Sequence, residues 1–115
     1  MLKLLLTAAE VARPDTDRVR KAFVGAVALR RDRVLVYSRN GSTAANSEKI
    51  PSVHAERRLL RKCGHGAEVY VARVLRNGQL ALAKPCDYCR ASLRAQGVEM
   101  VFYTISDNEW GAFAP

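Results

Sequence analysis

The chain of 115 residues carries a formal charge of +8, with 49% apolar and 26% charged residues. That length holds one hydrophobic core, because two would each be too thin, and the composition excludes a disordered tail. The charge says nothing about fold; it favours anionic partners such as nucleotides, phosphates or nucleic acid, although the basic residues are scattered and form no block.

Leu2, Leu5, Leu6, Ala9 and Ala12 recur at helical spacing and Pro14 stops the pattern, which predicts a short amphipathic first helix. Lys3, Thr7 and Glu10 interrupt it, it lacks a signal-cleavage pattern, and it is too short to cross a bilayer, so no membrane association is expected. Residues 23–29 form a continuous apolar run, polar residues 30–33 follow, and a second run covers 34–37, which predicts a two-stranded hairpin. Asn40-Gly41-Ser42 marks a turn, and the stretch through Lys49 reads as loop. Over 53–63, Ala55, Leu59, Leu60 and Cys63 share one face and Gly64 offers a stop, giving a helix with His54 in its first turn.

Residues 68–75 alternate as a strand, Asn77-Gly78 signals a two-residue turn, and 79–83 return as a short strand leading into Lys84-Pro85-Cys86. A helix over 87–96 follows, with Pro85 near its start and Gly97 behind it, and 98–105 form the next apolar strand. The remainder, 106–115, is too short for a further full helix and strand; Trp110 and Phe113 are expected to pack this tail onto the sheet rather than to stack a base. Apolar runs such as 23–29 and 101–105 imply strands buried on both faces. The expected fold is therefore a single α/β domain over 1–115, built as three α/β/α layers.

Three cysteines are an odd number, which argues against a closed disulfide framework and for metal or redox chemistry in a reducing, cytoplasmic setting. Two of them stand as Pro85-Cys86-Asp87-Tyr88-Cys89 at one helix start, and His54-Ala55-Glu56 stands at another. One imidazole nitrogen and two thiolates suit Zn²⁺, and three protein ligands leave the fourth tetrahedral position to water. Helix N-termini favour thiolate over thiol, and a spacing of one helical turn lets both sulfurs converge on one ion. Glu56 need not bind the metal, so its carboxylate can take a proton from the water and return it to a substrate nitrogen. His-x-Glu with Pro-Cys-x-x-Cys is the pattern of zinc deaminases.

Over nearly its whole length the chain resembles the cytidine and deoxycytidylate deaminase superfamily. Val24-Gly25-Ala26-Val27 before the hairpin, Asn40 after it, His54-Ala55-Glu56, the segment from Pro85 to Arg90, and Val101-Phe102-Tyr103 stand in the family's order. The resemblance implies a cytidine-deaminase-like fold with a mixed sheet of about five strands and zinc between two helices. It also implies that Asn40 contacts the sugar, that Val53 and Ala55 line the base pocket, and that the backbone at Lys84, before Pro85, receives the departing amine. The family usually has Ser, Thr or Glu where Lys84 stands, the Asn77-Gly78 hairpin is not part of its commonest pattern, and many members continue with another helix and strand.

The expected reaction converts a cytosine base to uracil in a free pyrimidine nucleotide or nucleoside; abundant arginine favours the nucleotide. The alternative is a cytosine or adenine deaminase acting on single-stranded DNA or RNA. Self-association as a homo-oligomer is a further expectation. Three other uses of the same residues compete with this reading. A closed structural zinc site could recruit Cys63 or His65 as fourth ligand, which would leave Glu56 without a purpose. A redox pair at Cys86 and Cys89 explains neither His54 nor Glu56. A binding module could keep the zinc for stability alone. Taken singly, Cys63 reads as a small core residue and His65, between two glycines, as an exposed loop residue.

Overall fold

Central strands buried on both faces set the architecture. The structure is a computed structural model of the chain and describes residues 1–12, 22–39, 59 and 62–115. Strand β1 (Ala22–Leu29) pairs antiparallel with β3 (Glu68–Leu75) along its whole length, from Ala22 opposite Leu75 to Leu29 opposite Glu68. Strand β2 (Leu35–Arg39) lies antiparallel on the other edge of β1. The two-residue β4 (Leu80–Ala81) returns antiparallel against the far end of β3. Strand β5 (Met100–Thr104) runs parallel to β3, and β6 (Trp110–Phe113) is antiparallel to β5. The mixed sheet thus follows the order β2-β1-β3-β5-β6, with β4 attached to β3.

Alternate residues of these strands feed two separate cores. Val27, Tyr70 and Ala72 pack with Leu5 and Ala8 of helix α1 (Lys3–Val11). Ala26, Ala28, Val69, Val71 and Val101 pack with Leu59, Cys63 and Leu93, the last from helix α2 (Asp87–Gln96). Leu59, Lys62 and Cys63 are helical, so helices cover both faces and the expected three layers are present. The rest of the helix expected over 53–63, and the turn and loop expected over 40–49, lie outside the described residues. Among the described residues no helix is long and apolar enough to cross a membrane.

Gly25 decides how closely α1 can approach. A Cβ at that position would meet the Ala8 carbonyl oxygen and, at 2.6 Å, the Ala12 nitrogen, so the helix backbone rests directly on β1. A glycine inside an apolar strand is otherwise unfavourable, and here close contact is its reason.

The β3–β4 turn differs from the two-residue turn expected at Asn77-Gly78. The Leu75 N–H donates to Gln79 O at 2.8 Å and the Gly78 N–H donates to Leu75 O at 2.8 Å, which makes a three-residue turn over 76–78. Only Gly78 in it has positive φ, 91°. A two-residue type I′ turn would have needed Asn77 left-handed as well. The β1–β2 turn repeats the design: the Arg30 N–H donates to Val34 O and the Arg33 N–H to Arg30 O, both at 3.0 Å, with Arg33 at φ 71°. Asp32 supports it by accepting from the Val34 N–H at 3.1 Å and pairing with Arg30 at 3.1 Å. Strand β4 is shorter than the expected 79–83, and the tail supplies the edge strand β6, an element that its sequence did not announce.

Two substitutions test this packing by thermal unfolding. Arg33→Gly removes a side chain from a left-handed position and is expected to stabilise the fold by about 0.5–1 kcal/mol. Gly25→Ala forces α1 off the sheet and is expected to destabilise it by roughly 2 kcal/mol or more. Equal melting of Gly25→Ala and the parent protein would show that α1 is not seated as described.

Candidate functional site: the cysteine pair at the start of helix α2

The segment 82–86 leaves the β3–β4 hairpin and delivers Pro85, buried, and then Cys86, exposed, to the start of α2. Cys86 is the N-cap, extended at φ −67° and ψ 167°, and its carbonyl accepts the Arg90 N–H at 2.8 Å. Its thiol makes no capping bond, so the sulfur is left for other chemistry. One turn on, Cys89 is fully buried and lies on the inward stripe with Leu93. Neither cysteine is in a disulfide. One surface cysteine and one buried cysteine thus stand together at one helix N-terminus.

The other end of α2 is locked. Gly97 closes the helix in the left-handed region at φ 86°, and its carbonyl accepts the Gly66 N–H at 2.8 Å. The Glu99 N–H donates to Ala67 O at 2.9 Å beside it. A Cβ at Gly97 would collide with the His65 imidazole, so His65 is packed against this C-terminal end. A ten-residue helix is about 15 Å long, which separates His65 from Cys86 by that order of distance.

These positions remove the closed structural site from the list of readings. Cys63 is buried against Leu93 in the core, and burial pushes its thiol up from the ordinary value, with the Arg30 charge acting in the opposite sense. Among the described residues no three His, Cys, Asp or Glu side chains are grouped so as to hold a metal. Neither Cys63 nor His65 therefore joins Cys86 and Cys89. Two thiols one turn apart fit a zinc ion only as part of a set completed by donors elsewhere in the chain. His54, Glu56, Asn40, Val53 and Ala55 lie outside the described residues.

Two cations next to the cysteines in the chain rest on one ring. The Lys84 ammonium lies 5.8 Å from the centroid of the Phe113 ring, and the Arg90 guanidinium lies 5.2 Å from the same ring. Tyr103 packs on Phe113 at 5.9 Å. Phe113 pairs with Val101, which places it on the sheet face that carries α2. At exposed positions each cation–π contact contributes about 0.5–1 kcal/mol. Trp110 pairs with Thr104 and lies 6.1 Å from Phe102, which stacks on Tyr70 at 4.7 Å in the core beneath α1. It is therefore on the opposite face from the cysteine pair, packing the tail as expected.

The sequence did not single out Thr104 or the cation–ring cluster. Thr104 carried one signal, as a polar residue closing an apolar strand; Phe113 carried none that distinguished a packing aromatic from a clamp for cations.

Comparison with known proteins places this arrangement. The sequence pattern described as the cytidine and deoxycytidylate deaminase zinc-binding region matches residues 1–105. The structure is similar to cytidine deaminase from Burkholderia pseudomallei, with a TM-score of 0.68 at 19% identity, covering 99% of this chain and 93% of that one. It is similar also to cytidine deaminase from Mycobacterium tuberculosis, with a TM-score of 0.59 at 21% identity over 90% and 85% of the two chains. For the Mycobacterium leprae cytidine deaminase the TM-score is 0.57 at 18% identity over 97% and 94%. No curated protein sequence matches the chain. At such identities the solved structures establish the fold, while the family pattern spans the Pro85–Cys89 segment and nearly all of the rest. The chain therefore belongs to the cytidine and deoxycytidylate deaminases, in the family defined by their zinc-binding region.

Proposed function

We propose that the chain is a zinc-dependent hydrolytic deaminase that converts the cytosine base of a free nucleotide or nucleoside to uracil. The observation that carries the reading is the pair of cysteines at the start of α2, one exposed and one buried and neither in a disulfide, within a chain of this family. In this reading Cys86 and Cys89 hold the ion with His54, and the bound ion supplies Lewis acidity that lowers the pKa of water toward neutrality. Glu56 takes a proton from the attacking water as the oxygen bonds to C4, and delivers it to the exocyclic nitrogen. The C4–N bond then breaks, so water is consumed and ammonia released.

The remaining roles follow the resemblance. Asn40 contacts the sugar, while Val53 and Ala55 line the base pocket. The backbone at Lys84, ahead of Pro85, receives the departing amine. The charge of +8 and the cations at Lys84 and Arg90 favour an anionic substrate, which makes a nucleotide the better fit of the two.

The same charge motivates a second reading, in which the base is presented on a single-stranded polynucleotide. That reading expects oligonucleotide affinity to fall steeply with salt; a flat response removes it.

Incubating zinc-loaded protein with cytidine, deoxycytidine and their monophosphates is expected to release ammonia and a uracil product from at least one. No product from any of the four would overturn the free-substrate reading. Glu56→Gln is expected to lower turnover by about 100-fold or more while zinc content is retained. Cys63→Ser is expected to keep one zinc per chain; loss of the metal from that variant would restore the closed structural site.

A further inference from the structure

We infer that Thr104 is a positioning residue of this site, holding the strand exit that delivers Pro85 and Cys86 to the metal. The inference rests on the proposed zinc role of Cys86 and Cys89.

Thr104 is a fully buried polar residue at the end of β5. It sits where β3 changes partner along one edge: β3 pairs with β5 through Val71 opposite Tyr103, and with β4 from Arg73 opposite Ala81. Beside that junction the Thr104 hydroxyl accepts the Arg73 N–H at 3.2 Å and donates to Ala81 O at 2.8 Å. The Thr104 carbonyl then accepts the Ala83 N–H at 2.9 Å. One residue thus ties β3, the end of β4 and the exit strand, with Ala83 only three positions before Cys86.

No hydrophobic side chain could replace this function. Valine has nearly the volume of threonine but neither donor nor acceptor, so it removes both bonds from a part-buried place. Of the bonds that Thr104 makes, only the one from Ala83 would then hold the strand exit. A shift there passes through Lys84 and Pro85 into the N-cap residue Cys86, whereas the helix that carries Cys89 is fixed at its other end by Gly97. The consequence is a change in the geometry between two sulfurs rather than a loss of the core.

The test compares Thr104→Val, Thr104→Ser and the parent protein, each zinc-loaded, by the rate at which zinc passes to a chromogenic chelator. Thr104→Val is expected to release zinc about 10-fold faster, a loss typical of removing outer partners of a metal site. Thr104→Ser, which keeps the hydroxyl, is expected to return to the parent rate. On any cytosine substrate that the parent turns over, kcat should fall in Thr104→Val and recover in Thr104→Ser. Equal zinc release from all three proteins overturns the inference. Failure of the parent itself to bind zinc would instead overturn the proposed function, so the two are separable. Because Thr104→Val removes part-buried hydrogen bonds and its fold is at risk, amide exchange in the parent protein gives a second reading. The Ala83 N–H should be protected like those of β3, and exchange at the rate of an open loop overturns the inference.

Discussion

Parallel pairing of β3 with β5 is the constraint on which the site depends. Two neighbouring strands that run the same way cannot be joined by a tight turn, so the chain must cross from the end of one to the start of the other. Helix α2 makes that crossing, and its N-terminus must therefore face the ends of the strands while its C-terminus returns to their beginnings. Every chemical feature of the Pro85–Cys89 segment is placed by that requirement. The open end of such a crossover, outside the carboxyl ends of parallel strands, is where α/β sheets bind ligands.

The molecule fastens the two ends of this helix differently. At the amino ends of β3 and β5, backbone bonds from Gly66 to Gly97 and from Glu99 to Ala67 make a short and rigid seam, with the His65 imidazole filling the space that a side chain at Gly97 would take. At the other end the helix begins without a side-chain cap. Its approach is controlled by Thr104, and its flank by Lys84 and Arg90 resting on Phe113. A rigid far end with a near end held through a few polar contacts concentrates sensitivity to substitution around the cysteines.

The hairpin ahead of Pro85 is shaped by the same economy. Strand β4 keeps only two residues in the ladder, because the chain beyond Ala81 is claimed by Thr104 and turned toward the helix. Strand propensity over 79–83 was real, but a tertiary hydrogen bond ended the pairing early. Departing from the family's commonest pattern, this hairpin still ends at Pro-Cys in the expected place, since its three-residue turn fixes register independently of the site.

Taken alone, the sequence determined the periodic elements and the chemical character of the cysteine pair. The apolar periods gave α1, β1, β3 and α2 close to their observed limits, because burial against a core imposes a repeat that side chains cannot hide. Residue type gave the cysteine pair its chemical character, because a soft donor set limits the ions that it can hold. The tertiary structure alone decided the rest. It settled that Cys63 and His65 stand apart from Cys86 and Cys89, that the tail becomes a strand with Trp110 and Phe113 on opposite faces, and that a buried hydroxyl governs the exit to Pro85. Those outcomes rest on contacts between residues far apart in the chain, and no local pattern of period or propensity encodes which distant partner a side chain will meet.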